Sequence, residues 1–199
     1  MSWIELSSGL IACGANALFA GAQWRRTRRV GMAGVSAWTW GLLLANSVFW
    51  IVYGPLTNTW LGALGSALMF PFQLLLVIAA WRHHGPRIVL VSLGVATVLV
   101  AVPAVFLGAA AGVFGVAVMG VATRIPQLRE LRAAPDASGV SVTSWSAATA
   151  GNAVWCVYWV SAHNYPALVP TAATGLLNLF IATAALRRHR AASARVRTA

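Results

Sequence analysis

Long apolar runs, separated only by short basic or turn-forming segments, constrain this chain more than any other feature. They lie near 4–23, 36–54, 59–81, 87–106, 107–126, 142–160 and 165–186. About 20 mostly apolar residues cross the hydrocarbon core of a bilayer as an α-helix. In lipid only a helix or a closed barrel satisfies its own backbone hydrogen bonds. Of the 199 residues 59% are hydrophobic and 9% charged, against roughly 25% charged in soluble domains, so the surface cannot mostly face water. The expectation is an all-α membrane protein of seven transmembrane helices. The break between the fourth and fifth runs is the least marked and is placed near Pro103 and Gly108.

The net charge of +11 would suit a nucleic-acid binder, but the basic residues form short clusters and no continuous basic face; no nucleic-acid partner is expected. All fourteen are arginine. Arg25, Arg26, Arg28 and Arg29 follow the first run. Arg82 and Arg87 lie between the third and fourth. Arg124, Arg129 and Arg132 lie at and after the end of the fifth, and Arg187, Arg188, Arg190, Arg195 and Arg197 follow the seventh. Seven spans put all of them on one side, and GPLTN, the Pro103 turn and AHNYP on an arginine-free side. The positive-inside rule then makes the arginine side cytoplasmic and the N-terminus external. Arginine without lysine, in an alanine-rich chain, matches a GC-rich bacterial genome, hence a bacterial inner (plasma) membrane. The tail RRHRAASARVRTA is expected to be disordered, as an orientation signal or a contact for anionic lipid. The N-terminus lacks the positive segment of a signal peptide and reads as a retained helix. Cys13 and Cys156 fall inside apolar runs and read as small packing residues.

The chain also repeats itself. A shift of 105 residues aligns Gly34-Val35-Ser36 with Gly139-Val140-Ser141, Trp40 with Trp145, Trp50 with Trp155, Tyr53 with Tyr158, Ser66 with Thr171 and Gln73 with Asn178; a shift of 104 aligns Gln23 with Gln127. Three-helix units repeated in parallel start on the same side only if one helix separates them. The fourth run, valine-rich and without a counterpart, serves as that linker. The expected organisation is 3+1+3: a first repeat at 1–86, a linker helix at 87–106, a second repeat at 107–187 and a basic tail at 188–199. Parallel repeats of this kind mark secondary transporters with a midplane site between the halves.

The segment ATRIPQLRELRAAPDASGVSVTSWS resembles the PQ-loop signature of the SWEET, SemiSWEET and wider PQ-loop transporters. Pro126 and Gln127 are expected to end one helix, with a polar loop leading to Gly139. The first half carries GAQWRRTRRVGMAGVSAWTW, with Ala22 for the proline. NSVFWIVYG at 46–54 and NAVWCVYW at 152–159 resemble the corresponding parts of the second and sixth SWEET helices. The resemblance implies a sugar uniporter working by alternating access, with Gln23, Pro126 and Gln127 at the PQ-loop hinge. It implies two substrate-contacting positions per half: Trp50 and Ser66, and Trp155 and Thr171. The family's asparagines at the second position of each pair are hydroxyl residues here, Ser66 and Thr171, and its middle-helix prolines are absent.

Asn46, Trp50 and Tyr53 share a helix face, and Asn152, Trp155 and Tyr158 nearly repeat it. Aromatic rings beside amides and hydroxyls suit a neutral polyol. For Tyr53 and Tyr158 an interfacial aromatic belt is the alternative. Asn16, Gln73 and Asn178 stand between substrate contact and interhelical hydrogen bonding. Pro71 and Pro170 are expected to interrupt their helices. Arg124 reads as snorkelling to the cytoplasmic surface; as alternatives it gates the inner mouth or attracts an anion. No span holds an acid, which proton-coupled carriers normally need, so facilitated diffusion of a small neutral solute, a mono- or disaccharide, is expected. A carrier for an amino acid or organic anion and a non-transporting receptor or assembly protein are the alternatives. No set of residues resembles an enzyme's, and no cofactor or metal is expected; a homo-oligomer is compatible with the sequence.

Overall fold

The computed structural model describes residues 1–56, 58–107 and 118–198. It is helical, and no strand occurs among these residues. The helices are α1 (Trp3–Val30), α2 (Ala37–Leu56), α3 (Trp60–His84), α4 (Pro86–Leu107), α5 (Arg124–Ala133), α6 (Val142–Ser161) and α7 (Tyr165–Thr198). Half of the fifth apolar run, Gly108 included, lies outside the described residues; residues 118–122 are helical and lead into α5.

Among the described residues four helices are long and apolar enough to cross a bilayer: Trp3–Val30, Ala37–Leu56, Trp60–His84 and the Ala167–Ala194 part of α7. The Pro86–Leu99 part of α4 is apolar but shorter. Helix α6 has the length, but its serines, threonines and Asn152 dilute its apolarity. It packs between α1 and α7 and keeps one face, Thr143, Ser146, Ala150, Ala153, Val157 and Val160, exposed.

Several boundaries differ from the sequence expectation for local reasons. α4 does not turn at Pro103; it continues to Leu107. Pro126 does not end a helix but sits in the first turn of α5. It has no N–H for the carbonyl of Ala122, so the helical ladder lapses at Thr123. In the first half Ala22 occupies the equivalent position, and α1 runs unbroken for 28 residues. The expected polar loop after Gln127 is α5 helix as far as Ala133. Pro71 and Pro170 do not interrupt α3 and α7; each deletes one ladder bond, which neighbouring helices tolerate. The basic tail is helical to Thr198 rather than disordered. Alanine and arginine are strong helix formers, and cations at a helix C-terminus complement its dipole.

Contacts fix the helix directions. Gly9 abuts Leu61 and Gly21 abuts Phe72, so α1 and α3 are parallel; Trp50 abuts Gly62, so α2 and α3 are antiparallel. Gly151 abuts Ala15 and Gly175 abuts Asn152, so α6 runs against both α1 and α7. α4 turns back at Gly85, whose φ is 85°, and lies along α2 with Ser92 against Gly41. The arginine-bearing segments therefore gather at one end. The turns at the other end carry left-handed residues, Asn58 (φ 56°) and His163 (φ 52°), which match under the 105-residue shift.

Candidate functional site

The arginine-rich end is sealed by two reciprocal clasps. Gln23 of α1 donates through Nε2 to the Gly139 carbonyl (2.7 Å), and its Oε1 accepts from the Ser141 N–H (2.9 Å). Gln127 of α5 donates to the Gly34 carbonyl (2.7 Å) and accepts from the Ser36 N–H (3.0 Å). Each glutamine amide thus bridges the same two backbone groups of the other half's Gly-Val-Ser motif. The rest of the motif follows from this contact. The two loops pass so closely that a Cβ at Gly139 would lie 2.7 Å from the Ala33 carbonyl oxygen, and one at Gly34 2.9 Å from the Ala137 Cα. Val35 and Val140 are buried. Ser36 and Ser141 cap α2 and α6 by accepting from the N–H groups of Thr39 and Ser144. Those two residues in turn donate to the carbonyls of Thr123 (2.7 Å) and Phe19 (2.6 Å).

The periphery of the seal adds asymmetric contacts. Arg26 donates to the Ser138 carbonyl (2.6 Å), Arg188 to the Ala134 carbonyl, and His189 lies 3.1 Å from the Ala137 carbonyl oxygen. Asp136 accepts from the Ser138 hydroxyl and N–H, which hold its carboxyl below the usual carboxylate range. Beneath the clasps lies an aromatic layer. Phe19 stacks on Trp40 (5.2 Å) and meets Trp145 edge-on (5.3 Å); both tryptophans are fully buried.

Beyond this layer, toward the arginine-free end, is a cavity of about 180 Å³. Asn46, Trp50 and Ser66 line it from the first half, and Asn152, Trp155 and Thr171 from the second. All six substrate positions expected from the sequence are therefore brought together. Asn46 Oδ1 and Asn152 Nδ2 are buried and have no hydrogen-bond partner among the described residues, whereas Thr171 donates to the Ala167 carbonyl of its own helix. Asn16, Thr174 and Asn178 also line the cavity.

Three expected pocket residues do not line it. Gln73 is fully buried in α3. Tyr53 stacks on Phe49 and edges Trp50, and Tyr158 edges Trp155 and Trp159; both tyrosines buttress the cavity tryptophans from behind. Arg124 does not snorkel. It is 7% exposed, donates through Nε to Asn178 Oδ1 (3.0 Å) and through Nη1 to the Gly120 carbonyl and the Thr123 hydroxyl, and lines the cavity floor. The Gly120 carbonyl, the Thr123 hydroxyl and the Asn178 amide oxygen hold it inward.

Lining residues not expected from the sequence include Trp159 and Phe19. Trp159 stacks on Trp155 at 5.7 Å; its i, i+4 spacing from Trp155 was the available signal. Phe19, which forms part of the floor, had none, because its repeat counterpart is Thr123. The cavity offers amides, hydroxyls, indoles and one guanidinium, groups that can hydrogen-bond a polar solute.

No family model, curated protein or solved structure matches the chain.

Proposed function

We propose that this chain is a non-enzymatic membrane carrier of the PQ-loop type, most similar to the SWEET group. In this reading seven spans, arranged 3+1+3 with the arginine-rich end in the cytoplasm of a bacterial inner membrane, mediate facilitated diffusion of a small hydroxylated solute. The observation that carries it is the cavity: residues paired by the internal repeat meet around it, among them Asn46 and Asn152, each with a buried amide atom that lacks a partner among the described residues. A buried polar atom without a partner is costly unless a ligand or water completes it.

Its volume, about 180 Å³, falls below the roughly 300–1,000 Å³ of sites for drug-sized ligands. That favours a monosaccharide-sized solute over a disaccharide. The cavity lies on one side of the sealed layer, as one state of an alternating-access cycle would have it. Facilitated rather than proton-coupled movement rests on the three acids, Glu5, Glu130 and Asp136, none of which lines the cavity.

The test is counterflow in proteoliposomes loaded with unlabelled glucose or gluconate and challenged with the labelled compound. Saturable accumulation of either, absent from empty vesicles, is expected. Vesicles containing folded protein that accumulate neither would overturn the carrier reading and return weight to a receptor or assembly role.

A further inference from the structure

The floor of the cavity is chemically unlike its walls. Arg124 is a permanent cation buried to 7% exposure. Among the described residues the one ion pair is that between the N-terminus and Glu5. The other two acids of the chain are not paired with Arg124. A buried guanidinium without a counter-charge is costly, and ionisable groups inside membrane proteins mark substrate paths more often than packing.

Its hydrogen bonds are directional. Asn178 holds Nε and the Gly120–Thr123 turn holds Nη1, whereas Nη2 has no acceptor among the described residues. Asn178 turns its oxygen to the guanidinium, which leaves its Nδ2 buried and also unpartnered. At this corner of the cavity two donors are therefore unfilled beside a positive charge, the Asn178 Nδ2 among them buried. Water or a hydroxyl would answer the donors but not the charge; a carboxylate answers both.

The repeat sharpens the point. The first-half counterparts of Arg124 and Asn178 are Ala20 and Gln73. With no arginine to bind, Gln73 has neither amide atom partnered and does not reach the cavity. The cation is thus an addition to one half and is not needed to build a three-helix unit of this kind.

Resting on the carrier reading above, we infer that the transported solute is a small hydroxylated monocarboxylate. Its carboxylate sits on Arg124 and Asn178, and its hydroxyls meet Asn46, Asn152 and the tryptophans. This departs from the neutral solute expected from the sequence.

The test is ligand-induced stabilisation of the purified full-length protein with matched probes: D-glucuronate against D-glucuronamide, and D-gluconate against D-glucose. A charge-assisted contact in such a site should make each carboxylate bind about ten- to hundredfold more tightly than its neutral match. Arg124→Gln should erase that ratio. Asn178→Ala, which removes the second donor and leaves the guanidinium, should reduce it, and reports even if Arg124→Gln fails to fold. Equal affinities within each pair, no stabilisation by any probe, or a ratio that survives Arg124→Gln would overturn the inference. Counterflow separates the two claims. Glucose transport without preference for carboxylates overturns the substrate class and leaves the carrier. Carboxylate-selective binding without counterflow of either probe overturns the carrier and leaves the anion site.

Discussion

Trp155 has two roles that one substitution will affect together. It lines the cavity, yet it is buried among Ala12, Cys13, Leu61 and Trp159, and its ring comes within 3.4 Å of where a Cβ on Gly65 would stand. Trp155→Ala should therefore abolish uptake and also lower stability by about 3–5 kcal/mol. Trp50 is half-buried, so Trp50→Ala should abolish uptake with a smaller loss. Uptake and detergent melting, measured on the same preparations, check both. Normal uptake by Trp155→Ala alongside a sharply lowered melting temperature would make it a packing residue only. At this scale the sequence was most informative where the repeat was tightest. Trp50 with Trp155 and Ser66 with Thr171 could be placed on one site because equivalent positions in parallel repeats face each other. Arg124 was not legible. Whether an arginine near a span end snorkels or turns inward depends on local acceptors, here Asn178 and the Gly120 carbonyl, which no local pattern announces.

Among the elements, α1 and the region around α5 show how one residue changes a helix. Ala22 leaves α1 continuous, whereas Pro126 breaks the equivalent stretch at Thr123. Ala22→Pro should remove the bond from residue 22 to the Leu18 carbonyl. Its cost should be about 3 kcal/mol, the penalty of an interior helical proline, read as a lower melting temperature and reduced helicity by circular dichroism. An unchanged melting temperature would mean that α1 is already broken there in solution. Helix positions were largely legible from apolar run length, since the expected starts of α2, α3, α4 and α6 fall within a residue of those observed. The extensions of α1, α5 and α7 at the arginine-rich end were not. Run length measures lipid exposure, and a helix of alanine, arginine and glutamine continues past the apolar segment on propensity alone.

For the whole molecule, the two clasps matter most. Gln23→Ala leaves the Gly139 carbonyl and Ser141 N–H without their partner, and Gln127→Ala does the same to Gly34 and Ser36. Each should cost about 1–3 kcal/mol. Because both clasps join the same two segments, 23–36 and 127–141, the double variant should be non-additive. A double-mutant cycle on melting stability should return a coupling energy of at least about 0.5 kcal/mol, and strict additivity would mean that the clasps act as independent contacts. The sequence displayed every component: two glutamines, two Gly-Val-Ser motifs and the offset of one residue between their shifts. It could not display that each glutamine serves the opposite motif, because a shift between repeats is silent on which copies touch.

That crossed arrangement makes the seal bivalent. When one amide lets go, the other still tethers the loops, so the released partner stays at an effective concentration in the millimolar range or above and rebinds before the ends can separate. A half-released seal is therefore short-lived. In the carrier reading proposed above, the arginine-rich end would part only when both grips fail together, and solute would have little opportunity to leak past a half-released seal.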